Sequence, residues 1–181
     1  TGRGAAQAAG VEADVDFTVG TFSKSLGAIG GYCVSPHPEL EAIRFCIKAY
    51  IFTASSSPAV IASTREALRI IVSEPERRQR VWDNASRLYA GLKALGLPVG
   101  PTASPVIAVE MLDRSRTIDC WKALMEAGVY VNLVIPPASP STTFLLRNSV
   151  SAAHSSEQID TIINAYAGLK AAGLFEPARA A

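Results

Sequence analysis

At 181 residues, 49% hydrophobic and 18% charged, the chain has the composition of a globular protein with a sizeable core, which excludes a disordered one. The length suits one domain, or one small domain plus part of another. A net charge of +1 leaves no electrostatic footprint for nucleic acid or an acidic membrane surface, and no apolar run reaches membrane-span length.

The first residues show no signal-peptide pattern. The cysteines, Cys33, Cys46 and Cys120, are scattered and lack metal-ligand spacing. They predict buried free thiols in a reducing cytosol, a cytoplasmic location and no metal. Residues 1–13 read as a Gly- and Ala-rich loop followed by a short helical turn. Alternation of apolar and polar residues predicts a strand over Val15–Val19, and Tyr32–Val34 reads as a second. Between them lies Thr21-Phe22-Ser23-Lys24-Ser25-Leu26-Gly27-Ala28-Ile29-Gly30-Gly31, a lysine with hydroxyls just before it and glycines soon after. That arrangement suits a loop around a bound anion, since hydroxyls and backbone N–H groups hold phosphate oxygens and glycine permits close approach. Lys24 has two readings: a solvated surface lysine, or an amine held neutral so that it can form a Schiff base with a carbonyl cofactor. A nucleotide-phosphate loop is disfavoured because Ser23 stands where that motif requires glycine.

Ser35-Pro36-His37-Pro38 ends the second strand, and His37 reads as a turn residue. A helix is expected over Pro38–Lys48, with Leu40, Ile43 and Ile47 on its apolar face. The hydroxyl-rich segment Phe52–Ser57 leads into a helix over Pro58–Ser73, proline suiting its first position. Its hydroxyls can serve as caps, and Thr53 and Ala54 could instead meet a phosphate near a helix N-terminus. A domain boundary is expected near Ser73. The next helix spans Glu76–Ala94, with Val81, Leu88, Leu92, Trp82, Ala85 and Tyr89 on its apolar side and Arg77, Arg78 and Arg80 on a solvated face. A buried strand follows at Val106–Met111. A helix over Arg116–Ala127 places Ile118, Trp121, Leu124 and Met125 in the core. Strands Val129–Val134 and Thr143–Arg147 flank a proline-rich loop, and Ser155 or Ser156 caps a last helix over Ser156–Ala171. Phe175–Ala181 reads as a loose tail. His154 reads as structural. Arg147, at the end of an apolar strand, needs a partner: a structural carboxylate, or a substrate carboxylate that its fork can grip in two places.

The lysine segment resembles the lysine motif of the α-oxoamine synthases, pyridoxal-phosphate enzymes of the aspartate aminotransferase fold. The likeness continues through Tyr50-Ile51-Phe52-Thr53-Ala54-Ser55, Tyr130-Val131-Asn132, Pro136-Pro137-Ala138-Ser139-Pro140, Phe144-Leu145-Leu146-Arg147 and Ser151-Ala152-Ala153-His154. Tyr130-Val131-Asn132 with the proline loop and Leu145-Leu146-Arg147 is most similar to the bacterial serine palmitoyltransferase branch. One departure is Ile135, where some members of that branch carry arginine before the proline pair.

The resemblance implies an α/β chain forming the C-terminal part of a fold-type I enzyme. Residues 1–73 would end the large cofactor domain, and 74–181 would form a small α+β C-terminal domain. The aspartate and histidine that meet the cofactor ring in this family lie upstream of the matched region. The resemblance further implies pyridoxal 5'-phosphate bound by Thr21, Ser23 and Lys24, with Lys24 as the Schiff-base lysine. It implies a homodimer in which Thr53 and Ala54 reach the phosphate of the cofactor held by the other subunit, and an amino-acid carboxylate bound by Arg147. The implied reaction is a decarboxylative condensation of L-serine with a long-chain acyl-CoA, giving a 3-keto amino alcohol. The alternatives are a relative that uses glycine or alanine, and a non-catalytic subunit or fragment.

Overall fold

The computed structural model describes residues 2–140 and 142–176. The chain divides into two compact units, Thr1–Pro75 and Glu76–Ala181.

In the first unit a short helix α1 (Ala5–Ala9) and a 3-10 turn (Glu12–Asp14) lead into an antiparallel hairpin of β1 (Thr18–Thr21) and β2 (Gly31–Val34). The register pairs Thr18 with Val34 and Thr21 with Gly31. The first strand therefore sits later than the Val15–Val19 alternation predicts. Pairing, not periodicity, sets its limits: β2 pairs only with Thr18–Thr21, so the ladder begins after Phe17 and runs on to the hairpin tip. The helix expected over Pro38–Lys48 starts later, runs on to Ile51 and is divided into α2 (Leu40–Cys46) and α3 (Lys48–Ile51), because Ile47 adopts an extended conformation (φ −86°, ψ 106°). Helix α4 (Pro58–Ser73) has the expected limits; Ser57 Oγ accepts from the Val60 amide at 3.4 Å and Pro58 opens the first turn. Among the described residues of this unit only Leu26 and Thr64 are buried, while Val19, Ile29, Phe45, Phe52 and Val72 are each more than 75% exposed. Cys33 and Cys46 are exposed, which corrects the expectation of buried thiols; only Cys120 is buried.

The second unit packs three helices on a three-stranded antiparallel sheet. Helix α5 (Glu76–Ala94) precedes β3 (Val106–Met111), α6 (Arg114–Glu126), β4 (Asn132–Val134), β5 (Phe144–Ser149) and α7 (Ser156–Ala171). The strand order is β3-β5-β4, so the last strand lies at the centre. Helix α6 starts earlier than expected because Asp113 caps it, accepting from the Arg116 amide at 2.9 Å. Strand β4 is shorter than expected and β5 longer, since β5 continues to Ser149 to pair with Val106. Ser155 caps α7 in a reciprocal capping box with Gln158.

The core joins Leu88 and Leu92 of α5, Val109 of β3, Cys120 and Leu124 of α6, Leu146 of β5, and Ile159 and Tyr166 of α7, all fully buried. Met125 and Trp82, expected inside, are 41% and 50% exposed, because Cys120–Leu124 and Ala85–Leu88–Leu92 define the inward faces. A side chain at Gly91 would place its Cβ 2.5 Å from Ile163 Cδ1, so glycine there lets α5 and α7 approach. Arg87 on α5 grips Asp160 on α7 through two bonds of 2.8 and 2.6 Å. Phe175, expected in a loose tail, stacks obliquely on Tyr166 with ring centroids 6.2 Å apart; the remaining residues 177–181 of that tail lie outside the described residues. Among the described residues no helix is long and apolar enough to cross a membrane.

Candidate functional site

The hairpin of the first unit presents the lysine. Residues 22–30 form its tip, closed by Phe22 N donating to Gly30 O (2.9 Å) and Ala28 N donating to Phe22 O (2.9 Å). Within it Gly27 N returns to Lys24 O at 3.0 Å, a turn in which Gly27 takes a φ of +59° that disfavours a side chain. Leu26 is buried and anchors the loop, while Phe22 stacks on Tyr32 of β2 with centroids 5.7 Å apart. The strands approach so closely that a Cβ on Gly31 would lie 2.6 Å from Gly20 O.

This frame gathers three polar side chains at its mouth. Thr21 Oγ1 and Ser23 Oγ lie 2.9 Å apart, and Lys24 Nζ donates to Ser23 Oγ at 3.5 Å. Thr21 Oγ1 also accepts from the Ser23 amide at 3.2 Å and lies 3.2 Å from Gly30 O, so strand β1 and the far side of the loop hold it in place. All three side chains belong to exposed residues, so a nucleophilic amine and two hydroxyls open outward together.

Thr53 and Ala54 lie between α3 and α4, ahead of the Ser57 cap and not at the helix N-terminus itself. The Thr53 hydroxyl donates to Ala49 O, and its amide donates to Tyr50 O at 3.3 Å. His37, read as a turn residue, keeps that role through its amide, which donates to Ser35 Oγ at 3.0 Å; its Nε2 also meets Asp16 Oδ1 at 2.9 Å.

In the second unit Arg147 stands on the central strand β5, exposed on the sheet face opposite the helices. Its neighbours Leu146 and Asn148 turn inward and are buried. Asn148 Nδ2 bonds Ile107 O (3.2 Å), Leu146 O (3.3 Å) and Tyr166 Oη (3.0 Å), and the Tyr166 hydroxyl donates to Asn148 Oδ1 at 3.2 Å. Burial pushes the Tyr166 hydroxyl pKa well above its ordinary value, with Asn148 opposing the shift, so it stays a neutral donor. This inward clamp dictates that Arg147 faces out. Arg147 Nη2 donates to Asn132 Oδ1 at 3.1 Å across the β4–β5 ladder. Among the described residues no carboxylate stands within ion-pair distance of Arg147, so the structural salt bridge open at the sequence level is not found there.

The loop between β4 and β5 carries a cis peptide at Pro136–Pro137, and Ser139 Oγ ties it to Thr143 O at 2.6 Å. His154 Nδ1 accepts from the Ser151 amide at 3.0 Å, and Asn84 Nδ2 donates to the Ser151 and His154 carbonyls at 3.1 and 2.9 Å, a structural loop as expected. Residue type alone does not mark Asn132, Asn148, Asn84 or Tyr166. Strand pairing reveals the role of Asn132 and Asn148, helix packing that of Asn84 and Tyr166, and the one local signal is the Tyr130-Val131-Asn132 run.

Serine palmitoyltransferase (SPT) of Caulobacter vibrioides is 56% identical over 182 residues, matching 100% of this chain and 45% of its own length. SPT of Sphingomonas paucimobilis is 44% identical, across 91% of this chain and 40% of its own. A high-resolution structure of SPT with PLP as internal aldimine superposes with a TM-score of 0.92 at 43% identity, over 95% of this chain and 44% of that one. The chain thus spans less than half the length of these relatives. Its fold is that of the corresponding part of an aminotransferase-like α/β protein. The family pattern of aminotransferase class I and II matches residues 1–165. With hairpin, three-stranded sheet and sequence in agreement, the chain belongs to the aminotransferase class I and II family.

Proposed function

We propose that this chain carries the lysine and the carboxylate-binding arginine of a pyridoxal-phosphate enzyme that joins an amino acid to an acyl-CoA with loss of carbon dioxide. L-Serine and a long-chain acyl-CoA are the favoured substrates, giving a 3-keto amino alcohol of the kind that begins sphingoid-base synthesis. The observation that carries this reading is the hairpin cluster of Lys24, Ser23 and Thr21 on a frame that admits no side chain at Gly31.

The donor set fits the cofactor. An amine for an aldehyde and two hydroxyls for a phosphate and ring oxygen lie side by side. Lys24 would hold the aldehyde carbon, with Thr21 and Ser23 positioning the phosphate and ring. Thr53 and Ala54 would meet the phosphate of the cofactor held by the partner subunit. Thr53 directs both its donors at backbone carbonyls of its own segment, so that contact requires one of them to be released. The exposed apolar side chains of the first unit support burial against further protein, including a second subunit. Bound there, the cofactor supplies an electron sink that stabilises negative charge at the substrate α-carbon.

The remaining roles belong to the chain. Arg147 offers a planar fork for the amino-acid carboxylate, and the carboxylate-free surroundings of that fork support the role. Lys24 Nζ takes and returns the proton at the α-carbon. A subunit without catalysis could dispense with that lysine, so its presence favours an enzyme.

The test is to add pyridoxal phosphate to the protein at full natural length. A new absorption band should appear, borohydride should fix the cofactor to the Lys24 peptide, and Lys24→Ala should abolish both. A band that survives Lys24→Ala refutes the assignment. Product analysis with serine, glycine and alanine separates the serine-using reading from its relatives.

A further inference from the structure

The partner of Arg147 is an uncharged one, and its chemistry has a consequence for the site. Asn132 on β4 lies directly opposite Arg147 on β5, so both side chains share the outer sheet face. Asn132 Oδ1 accepts one guanidinium N–H at 3.1 Å, while its Nδ2 makes a long contact of 3.5 Å with Tyr130 Oη. The amide thus presents its oxygen to the fork and its nitrogen to Tyr130. Arginine has five N–H donors, and one such bond leaves a parallel pair for a carboxylate. A neutral acceptor also leaves the positive charge of the fork uncompensated. An aspartate at the same place would give a similar contact and neutralise it.

We propose that Asn132 is a positioning residue for Arg147: it fixes the rotation of the guanidinium while leaving its charge for the amino-acid carboxylate. The role rests on the reading of Arg147 given above.

The experiment measures equilibrium binding of L-serine by calorimetry to the pyridoxal-phosphate-loaded protein at full natural length. The proteins compared are wild type, Asn132→Ala, Asn132→Asp, Arg147→Ala and the Asn132→Ala/Arg147→Ala pair. Cofactor absorbance and a thermal melt establish that each is folded and loaded. Asn132→Ala should weaken serine binding roughly three- to tenfold, the scale of one lost orienting contact. Asn132→Asp should weaken it more than alanine does, although it is the closer match in shape. In the Arg147→Ala background, Asn132→Ala should add nothing. A merely structural asparagine gives the reverse order, with aspartate milder than alanine, and that order overturns the proposal. Wild-type affinity in both Asn132 variants overturns it too, provided Arg147→Ala binds serine weakly. If Arg147→Ala itself binds serine normally, the carboxylate reading of Arg147 fails, and this proposal falls with it.

Discussion

The Asn148–Tyr166 pair makes a sharp prediction, because the contribution of one hydroxyl can be worked from the contacts. Tyr166 and Asn148 are 0% and 3% exposed, so neither finds water when its partner is removed. Tyr166→Phe deletes the donor to Asn148 Oδ1 and one acceptor of Asn148 Nδ2. Nδ2 keeps the Ile107 and Leu146 carbonyls, so the net loss is one buried acceptor without a donor. Such an atom costs about 1–3 kcal/mol. For a unit of this size that lowers the melting temperature by roughly 5–15 °C. Chemical denaturation of wild type, Tyr166→Phe, Asn148→Leu and the double variant measures it, with hydrogen exchange at β5 amides as the local readout. The double variant should be less destabilised than the sum of the singles, since removing both partners leaves no orphaned atom. Tyr166→Phe within about 0.5 kcal/mol of wild type, or full additivity, would refute the reasoning.

Three further outcomes are expected. Burial, aided by Asp119 and opposed by Arg116, pushes the Cys120 thiol from 9.0 up to about 11. The folded state thus favours the neutral thiol, a contribution fully present below pH 9 and lost as pH rises towards 11. Unfolding free energy should fall with pH in that window by up to about 1.4 kcal/mol per pH unit more in wild type than in Cys120→Ala, and parallel curves would refute the shift. In the hairpin, Gly31→Ala should destabilise by about 1–3 kcal/mol and weaken pyridoxal-phosphate binding, since a Cβ there meets the Gly20 carbonyl backbone. Gly20→Ala should be milder in a cofactor titration, because the atoms nearest its Cβ belong to the Tyr32 side chain, which can turn away, and not to backbone.

The elements most legible in the sequence are those bounded by local chemistry. Helices α4, α5 and α7 have the expected limits, because the Ser57 cap with Pro58, the Glu74-Pro75 break and the Ser155–Gln158 box act over a few residues. The lysine loop was legible for the same reason: its hydroxyls, amine and glycines are near neighbours in the chain, and the hairpin needs only that run to bring them together.

Other features depend on which distant segments meet. The limits of β1 and β5 follow their partners, and Ile47 divides a helix whose apolar spacing continues past it. Trp82 and Met125 face out because neighbouring positions on their helices fill the core. Above all, the partner of Arg147 could be named only once β5 was seated between β3 and β4, fifteen residues of chain separating it from Asn132. Residue type predicted that an arginine at the end of an apolar strand needs a partner, although Arg147 is exposed. Antiparallel pairing, a long-range choice, decided that its partner is an amide and, among the described residues, left the guanidinium without a carboxylate.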